Sequence, residues 1–237
     1  MATQTVRQVQ RLYQVTLTGT ASLLLHHDNI EWADKMDAWK DDPKNKGKSK
    51  AGDDRTPAFR WIGNCYSDGE HLAVPTDNIM RSLMEGATMV PVPGGRSGKT
   101  FKAQSQSGML PDLPHWKLHT ADGLLIPIAE VEQLQNEPDF AKHLEAVEKM
   151  GFELNVKRAR VQQAKHIRVR PWFREGWKVS GIIRVWDEKI TDETLSAMLF
   201  YAGSFKGIGD WRPSSPKTPG RYGTFEATCK RVSDRKA

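Results

Sequence analysis

The segment from Lys206 to Arg221 combines glycine, cationic and aromatic residues of the types that contact nucleic acid. Glycine lets a phosphodiester chain approach backbone amides, cations attract phosphates, and an indole ring stacks on a base. The residues predicted to bind here are Lys206, Gly207, Gly209, Trp211, Arg212 and Arg221. The alternative is that Trp211 packs in the core, since tryptophan is mostly buried in folded proteins, and that the glycines only turn the chain.

A second concentration of cations lies between Val156 and Lys178, where Glu175 is the only acid. The residues predicted to bind here are Lys157, Arg158, Arg160, Lys165, Arg168 and Arg170. The alternation in HIRVRPWF predicts a strand with Ile167, Val169 and Trp172 toward the core and the cations on the other face. The alternative is that acids from elsewhere in the chain cover this face with salt bridges.

A glycine-rich loop, VPVPGGRSGKTFKAQSQSG, adds Arg96, Lys99 and Lys102 as candidate phosphate contacts. The Gly-Lys-Thr within it invites comparison with a P-loop. That motif requires four residues between its first glycine and the Gly-Lys-Thr, which places the first glycine at Pro93. The spacing therefore fails, and we predict a basic loop that contacts phosphate or, as the alternative, an ordinary surface loop.

Histidines supply the only candidates for a metal site. His26, His27 and Asp28 are adjacent, but neighbouring side chains of a strand point to opposite faces and rarely bind one ion. His115 and His119 lack the glutamate of an HExxH motif. We therefore predict no metal, no cofactor and no catalytic residue, because no convergent acid, base or metal set stands out.

Composition limits the class of protein. The chain has 237 residues, a net charge of +6 and only two, widely spaced cysteines, which is compatible with a polyanionic partner and with a reducing compartment. No apolar run approaches membrane length, and the first residues lack a signal-peptide core. We expect a cytoplasmic protein with no membrane contact.

Hydrophobic periodicity predicts the elements that position these residues. We expect a first strand from Val9 that ends at Gly19, a short helix around Trp32 to Trp39, and a strand from Phe59 to Tyr66. Residues 28–60 form a polar, finger-like insertion that is either a solvated loop or an arm reaching a nucleic acid or a neighbouring subunit. A helix then begins near Pro75 and carries Arg81, a further candidate binding residue, on or beside its polar face.

The second half contains a middle insertion, residues 87–150, followed by two strands, a helix and a last strand. The helical part of the insertion should bury Phe140, Leu144 and Val147. The later helix should begin at a cap on Thr191 or Asp192 and end at the glycines. Together the elements predict one α+β domain, residues 1–237, with a ferredoxin-like, RNA-recognition-type antiparallel sheet and long insertions.

Two segments, LAVPTDNIMRSLMEGA and GIGDWRP with the following GRYGTFEA, resemble motifs of the RAMP superfamily of CRISPR proteins. LAVPTDNIMRSLMEGA is similar to the I-P-G-S-S-L-K-G-x-L-R pattern that opens the first helix of this superfamily. Val74, Pro75, Asn78, Ile79 and Arg81 agree in type and order, and Thr76-Asp77 stands where the pattern has Gly and Ser. GIGDWRP followed by GRYGTFEA resembles the superfamily's glycine-rich loop and final strand. The resemblance covers the two ends of the core and is nearest to the RNA-coating backbone subunits of multi-subunit effector complexes.

Three functions compete at this point. The resemblance implies a backbone subunit that oligomerises along a guide-type RNA, with single-stranded RNA, copies of itself and other effector subunits as partners. The second function is a single-strand-binding or structural phage protein without a guide, and DNA in place of RNA stays open. The third is a metal-dependent nuclease that uses Asp28 and the neighbouring histidines. The distribution of cations and the two motifs favour the first.

Overall fold

The computed structural model of the chain describes residues 9–49, 51–161, 164–216 and 218–236. The strands are β1 (Val9–Gly19), β2 (Leu23–Leu24), β3 (Ala73–Pro75), β4 (Met109–Pro111), β5 (His115–His119), β6 (Glu153–Val161), β7 (Ala164–Phe173), β8 (Lys178–Val185) and β9 (Phe225–Lys236). The α-helices are α1 (Ile30–Asp41), α2 (Thr76–Ala87), α3 (Lys102–Ser107), α4 (Ile128–Gln133), α5 (Phe140–Lys149) and α6 (Asp192–Tyr201). A π-helical turn, Ala202–Lys206, continues α6, and short 3-10 helices span Pro43–Asn45, Ala58–Asn64 and Leu134–Asn136. The predicted α+β class is confirmed.

The larger sheet is organised around β1. Its strand order is β3-β5-β8-β1-β9, β4 also pairs with β8, and all of these pairs are antiparallel. The alternation in β1 points Tyr13, Val15 and Leu17 into the core, where each is at most 1% exposed. The predicted first strand, including its end at Gly19, is confirmed.

Helix α6 connects β8 to β9. The two strands run in the same direction because each is antiparallel to β1. Thr191 caps the helix, since its side chain accepts a hydrogen bond of 3.2 Å from the amide of Thr194. The helix buries Leu195, Met198 and Leu199 against the core. The α6 prediction therefore holds, except that Gly203 does not end the helical region, which continues as the π-helical turn to Lys206.

Helices α2 and α6 pack against each other, and a polar contact ties α6 to the sheet. Gly86 of α2 permits the close approach, because a Cβ there would lie 2.6 Å from the carbonyl oxygen of Met198. The hydroxyl of Tyr13 donates to Asp192 Oδ1 over 2.5 Å. Burial, together with this hydrogen bond, raises the pKa of Tyr13 to about 12, so the phenol stays protonated as a donor.

A smaller sheet, with strand order β2-β7-β6, contains the hairpin of β6 and β7. The 3-10 helix Ala58–Asn64 packs on β7 and on α1. The presence of α1 confirms the helix expected around Trp32 to Trp39. The strand predicted from Phe59 to Tyr66 is wrong. Trp61 and Ile62 are neighbours and are both buried, which a strand with only one buried face does not allow.

The middle insertion is anchored by α5, whose buried stripe differs from the prediction. Leu144 is 38% exposed, whereas His143 is fully buried with Val147. His143 Nδ1 accepts a hydrogen bond of 3.0 Å from the indole N–H of Trp61, so its polar atom is satisfied in the core. The prediction chose Leu144 because leucine is more hydrophobic than histidine. The local sequence around α5 does not show that Trp61, far away in the chain, provides the hydrogen bond that allows His143 to be buried.

Candidate nucleic-acid interface

The glycine loop, residues 206–223, is held by its own backbone contacts. Gly209 adopts φ 77°, and a Cβ there would lie 2.5 Å from the carbonyl oxygen of Leu24. That carbonyl accepts a hydrogen bond of 2.9 Å from the amide of Asp210. Gly207 is buried, and its amide donates to the carbonyl of Ala202 over 2.8 Å. Gly209 therefore fits the loop tightly onto β2, and the amide of Gly207 is already engaged.

Trp211 lies outside the apolar core and is only partly buried. It is the one non-glycine residue with positive φ, 48°, in the described part of the chain, which is a strained conformation for a bulky side chain. Its amide donates to Asp210 Oδ1 over 2.9 Å, and its ring centroid lies 5.9 Å from that of Tyr222. The loop thus holds the indole at the surface, against the alternative that it packs in the core.

Lys157 of β6 reaches across to this indole. Its Nζ lies 3.8 Å from the ring centroid, within the range of a cation–π contact. The space between β6 and the loop is a cleft of about 400 Å³, lined by Lys157, Trp211, Pro219, Gly220, Arg221 and Tyr222. Two cations and two aromatic rings around one cleft suit a stacked base and its phosphates. The structure thereby brings together three predicted residues from distant segments, Lys157, Trp211 and Arg221.

The hairpin separates the other predicted cations into two faces. Lys157 pairs directly with Arg168, and Asn155 with Arg170, so these side chains share the face that includes the cleft. Arg158 and Lys165 are exposed on the opposite face. The side chain of Arg160 lies outside the described part of the chain.

The predicted core face of β7 is correct for Val169 and wrong for Trp172. Val169 is fully buried, and the next core residue on its face is Phe173, which is 1% exposed. Trp172 alternates with Phe173 and shares the face of Arg170, where it is only partly buried. The strand period of two requires this assignment, because positions 168, 170 and 172 lie on one side.

Acids cover the two arginines of β7, as in the salt-bridge alternative. Asp54, which is 3% exposed, lies 3.1 Å from Arg168 Nη1 and 3.6 Å from Arg170 Nη1. Asp210 of the glycine loop lies 3.4 Å from Arg170 Nε. Burial lowers the pKa of Arg170, against the opposite effect of the two carboxylates, and the group remains a cation at neutral pH.

His26 joins this cluster and His27 does not. Arg170 Nη2 donates to His26 Nε2 over 3.1 Å, and His26 Nδ1 lies 3.7 Å from Asp210. Burial, with the positive charge of Arg170, lowers the pKa of His26. His27 stacks on Tyr66 instead, with ring centroids 4.5 Å apart. The two histidines thus face different partners, and no group of three His, Cys, Asp or Glu suited to a metal ion occurs within the described ranges.

The remaining predicted residues lie outside the cleft. Arg212 lies 3.5 Å from Glu85 of α2, which also accepts a hydrogen bond of 2.8 Å from Arg81 Nε, so these two arginines share one acid. Lys206 is partly buried at the end of the π-helical turn. The exposed residues Arg96, Lys99 and Lys102 precede β4, which pairs with the Val185 end of β8. The glycine loop contacts the opposite end of the sheet, where Gly19 bonds to Trp177.

Sequence reasoning missed several residues of this interface. Tyr222 lies just beyond the segment predicted to bind, and the acids Asp54 and Asp210 were not among the predicted residues. Arg60 was also missed; its Nη1 lies 3.4 Å from Asp54 Oδ1. Tyr222, the aromatic residue beside Arg221, was a usable signal for the cleft. The contact between Asp54 and Arg168 left no local signal, because the two residues lie more than 100 positions apart.

Comparison with known proteins adds no relative. The sequence matches no family model, and none of the curated proteins is significantly similar to it. None of the helices within the described ranges has both the length and the apolar composition needed to cross a lipid bilayer. The function is therefore inferred from the interface itself.

Proposed function

We propose that this protein is an RNA-binding backbone subunit, a member of the RAMP superfamily that oligomerises along a guide-type RNA in a cytoplasmic, CRISPR-like ribonucleoprotein. The observation that carries the proposal is the cleft between β6 and the glycine loop. Lys157, Trp211, Arg221 and Tyr222 place two cations and two rings on one surface. Such a surface holds the sugar-phosphate chain and stacks a base without reading its sequence.

The strand connections support the same proposal. Reading across the sheet, the order β9-β1-β8-β5 is antiparallel throughout, and α2 and α6 are the two crossover helices. This strand order is the one expected of a ferredoxin-like β-α-β-β-α-β fold, which supports the proposal that the protein has such a fold with the hairpin and the two insertions added to it. The RAMP-like segments lie on α2 and on the glycine loop, and Glu85 with Arg212 joins the two.

The partners follow from the resemblance and from the shape of the cleft. A cleft of about 400 Å³ holds only a short piece of a strand, so coverage of a long RNA requires many copies of the chain. The proposed partners are single-stranded RNA, further copies of this protein and other effector subunits. Asp41 to Asp54 of the polar insertion is the segment whose deletion tests whether the insertion contributes to assembly on RNA.

The test is to purify the protein from cells in which its native neighbours are expressed and to sequence the nucleic acid that remains bound. A uniform RNA of defined ends is expected. A heterogeneous mixture of RNA or DNA favours the single-strand-binding protein without a guide. Binding titrations of single strands over a range of salt concentrations accompany it, since an affinity that does not fall with added salt removes the electrostatic basis of the proposal.

A further inference from the structure

Beside the cleft, three arginines surround a single buried carboxylate. Asp54 is 3% exposed, and its oxygens lie 3.1 Å from Arg168, 3.4 Å from Arg60 and 3.6 Å from Arg170. Asp210 is the second acid in contact with this group, through Arg170. Three guanidinium groups therefore share the two carboxylates that contact them. Each guanidinium offers five N–H donors, more than these acids accept.

An open cavity of about 400 Å³ lies against this cluster. Arg60, Arg168 and Arg170 line it together with Asp54, Asp28, Asp37 and Lys40, so cations and acids both face this space. The side chains of Arg60 and Arg168 are 36% and 31% exposed, so both guanidinium groups are accessible from the cavity. Guanidinium donors match the geometry of a phosphate as well as that of a carboxylate.

The segment that carries Asp54 is held in place mainly by this acid. Among the described residues from 41 to 56, Asp54 alone is buried, and none belongs to the apolar core. Two backbone hydrogen bonds join the segment to β7, from Asp54 N to Ile167 O over 3.0 Å and from Ile167 N to Gly52 O over 2.7 Å. Little apolar area opposes the release of this segment, so its position depends on charges that an anion can compete for.

The cluster adjoins the cleft. Lys157 lies in the cleft and pairs directly with Arg168, so their side chains are neighbours on one face of the hairpin. A strand whose base stacks on Trp211 therefore brings its phosphates next to Arg168. Several phosphates act together, and the attachment of one raises the effective concentration of the next.

We propose that Arg60, Arg168 and Arg170 form a phosphate subsite that Asp54 fills in the free protein, and that the phosphate of a bound strand displaces Asp54 and releases residues 51–56 from β7. This inference rests on the proposed strand binding. The carboxylate of Asp54 occupies the guanidinium donors in the absence of a ligand, and the phosphate takes them over. Residues 51–56 thus act as a cover for the subsite.

The first test is the Asp54→Asn variant, titrated with an oligouridylate of about 12 nucleotides, a typical single-strand site size. Because the competing carboxylate is gone, the affinity is expected to rise about tenfold, the scale of one charged hydrogen bond. Glu153→Gln is the matched control, since it removes the same charge from the pair with Arg174 on the same hairpin. An increase no larger than that of the control contradicts the inference.

The second test uses the unaltered protein and stays decisive if Asp54→Asn fails to fold. Hydrogen exchange at the amides of Asp54 and Ile167 is measured with and without saturating oligouridylate. Exchange at both amides is expected to accelerate when the strand is bound, because their hydrogen bonds break. Protection that is unchanged, in a protein that binds the strand, overturns the subsite and leaves the proposed function intact.

Further probes identify which phosphate is bound and distinguish failure of the subsite from failure of the proposed function. Oligouridylate with a 5′-hydroxyl that accelerates exchange identifies an internal phosphodiester, and an effect limited to the 5′-phosphorylated form identifies a terminal phosphate. If no strand binds, the proposed function is wrong, and inorganic phosphate alone then decides on the subsite. Faster exchange at Asp54 and Ile167 in phosphate supports the subsite, and unchanged exchange overturns it.

Discussion

The protein contains two regions that are stabilised in different ways. The sheet region, formed by β1, β8, β9, α2 and α6, packs alternating apolar side chains such as Val15 and Leu17 into a continuous core. The hairpin region is formed by β2, β6, β7, α1 and the described residues from 42 to 64. It also contributes apolar residues to the core, but its residues 51–56 are joined to the hairpin through ion pairs of Asp54 with three arginines. Apolar burial thus determines the scaffold, whereas ion pairs hold the segment that lies over the arginines beside the cleft.

The cleft forms where the two regions meet. The hairpin region supplies Lys157, and the loop that follows α6 supplies Trp211. Either residue alone is a common surface feature, since isolated lysines and partly buried tryptophans are frequent. The proposed function therefore requires both regions to be folded. Substitutions in the core and substitutions in the cleft should accordingly have different effects on stability and on binding.

Leu17→Ala in β1 should have the largest effect on stability. Leu17 is fully buried at the centre of the sheet region, so the lost burial and the resulting cavity should lower the free energy of unfolding by about 2 to 5 kcal/mol. Chemical denaturation measures this loss. Leu110→Ala is the control, because Leu110 in β4 is 55% exposed and should change stability little. Equal losses in the two variants contradict the assignment of the core.

Trp211→Ala should weaken binding of single strands and leave the stability of the protein nearly unchanged. Loss of one stacking ring weakens single-strand binding by about 1 to 3 kcal/mol, and the melting temperature should change little because the indole lies outside the core. Phe200→Ala is a matched control, since Phe200 on α6 is 60% exposed and does not line the cleft. Binding that survives in Trp211→Ala, or is lost only with unfolding, means that the ring is structural.

His26→Gln should have the smallest effect, and it reports on the cluster at Asp210. The folded state lowers the pKa of His26 below its usual value of 6.5, mainly through burial, so the unfolded chain takes up the proton first. Stability from this group is complete above pH 6.5 and falls as the pH drops toward the lowered value. Thermal melts of the wild type should decline over this window, and His26→Gln should decline less.

The sequence predicted the sheet region well because its determinants are local. The alternation in β1, the cap at Thr191 and the apolar spacing of α6 each lie within a few residues, and all three predictions are confirmed. The strand expected at Phe59 to Tyr66, which was wrong, lies in the hairpin region. There the buried residues are determined by packing against α1 and against β7, a strand that comes much later in the chain.

The candidate site was predictable only in part, for the same reason. The types and spacing of Trp211 and Arg221 indicated a binding loop, and the density of cations indicated the hairpin. The sequence did not show which hairpin cations face the loop, since that depends on the register that pairs Lys157 with Arg168. Nor did it show that Asp54 covers Arg168 and Arg170, because those contacts join segments far apart in the chain.

The most direct test of the central claim compares Lys157→Ala with Arg158→Ala. The two residues are adjacent in β6 and carry the same charge, but only Lys157 faces the cleft. In titrations with single-stranded RNA, Lys157→Ala is expected to weaken binding about tenfold, the scale of one charged hydrogen bond, and Arg158→Ala to leave it nearly unchanged. Equal losses in the two variants, or a greater loss in Arg158→Ala, would contradict the assignment of the cleft as the binding site.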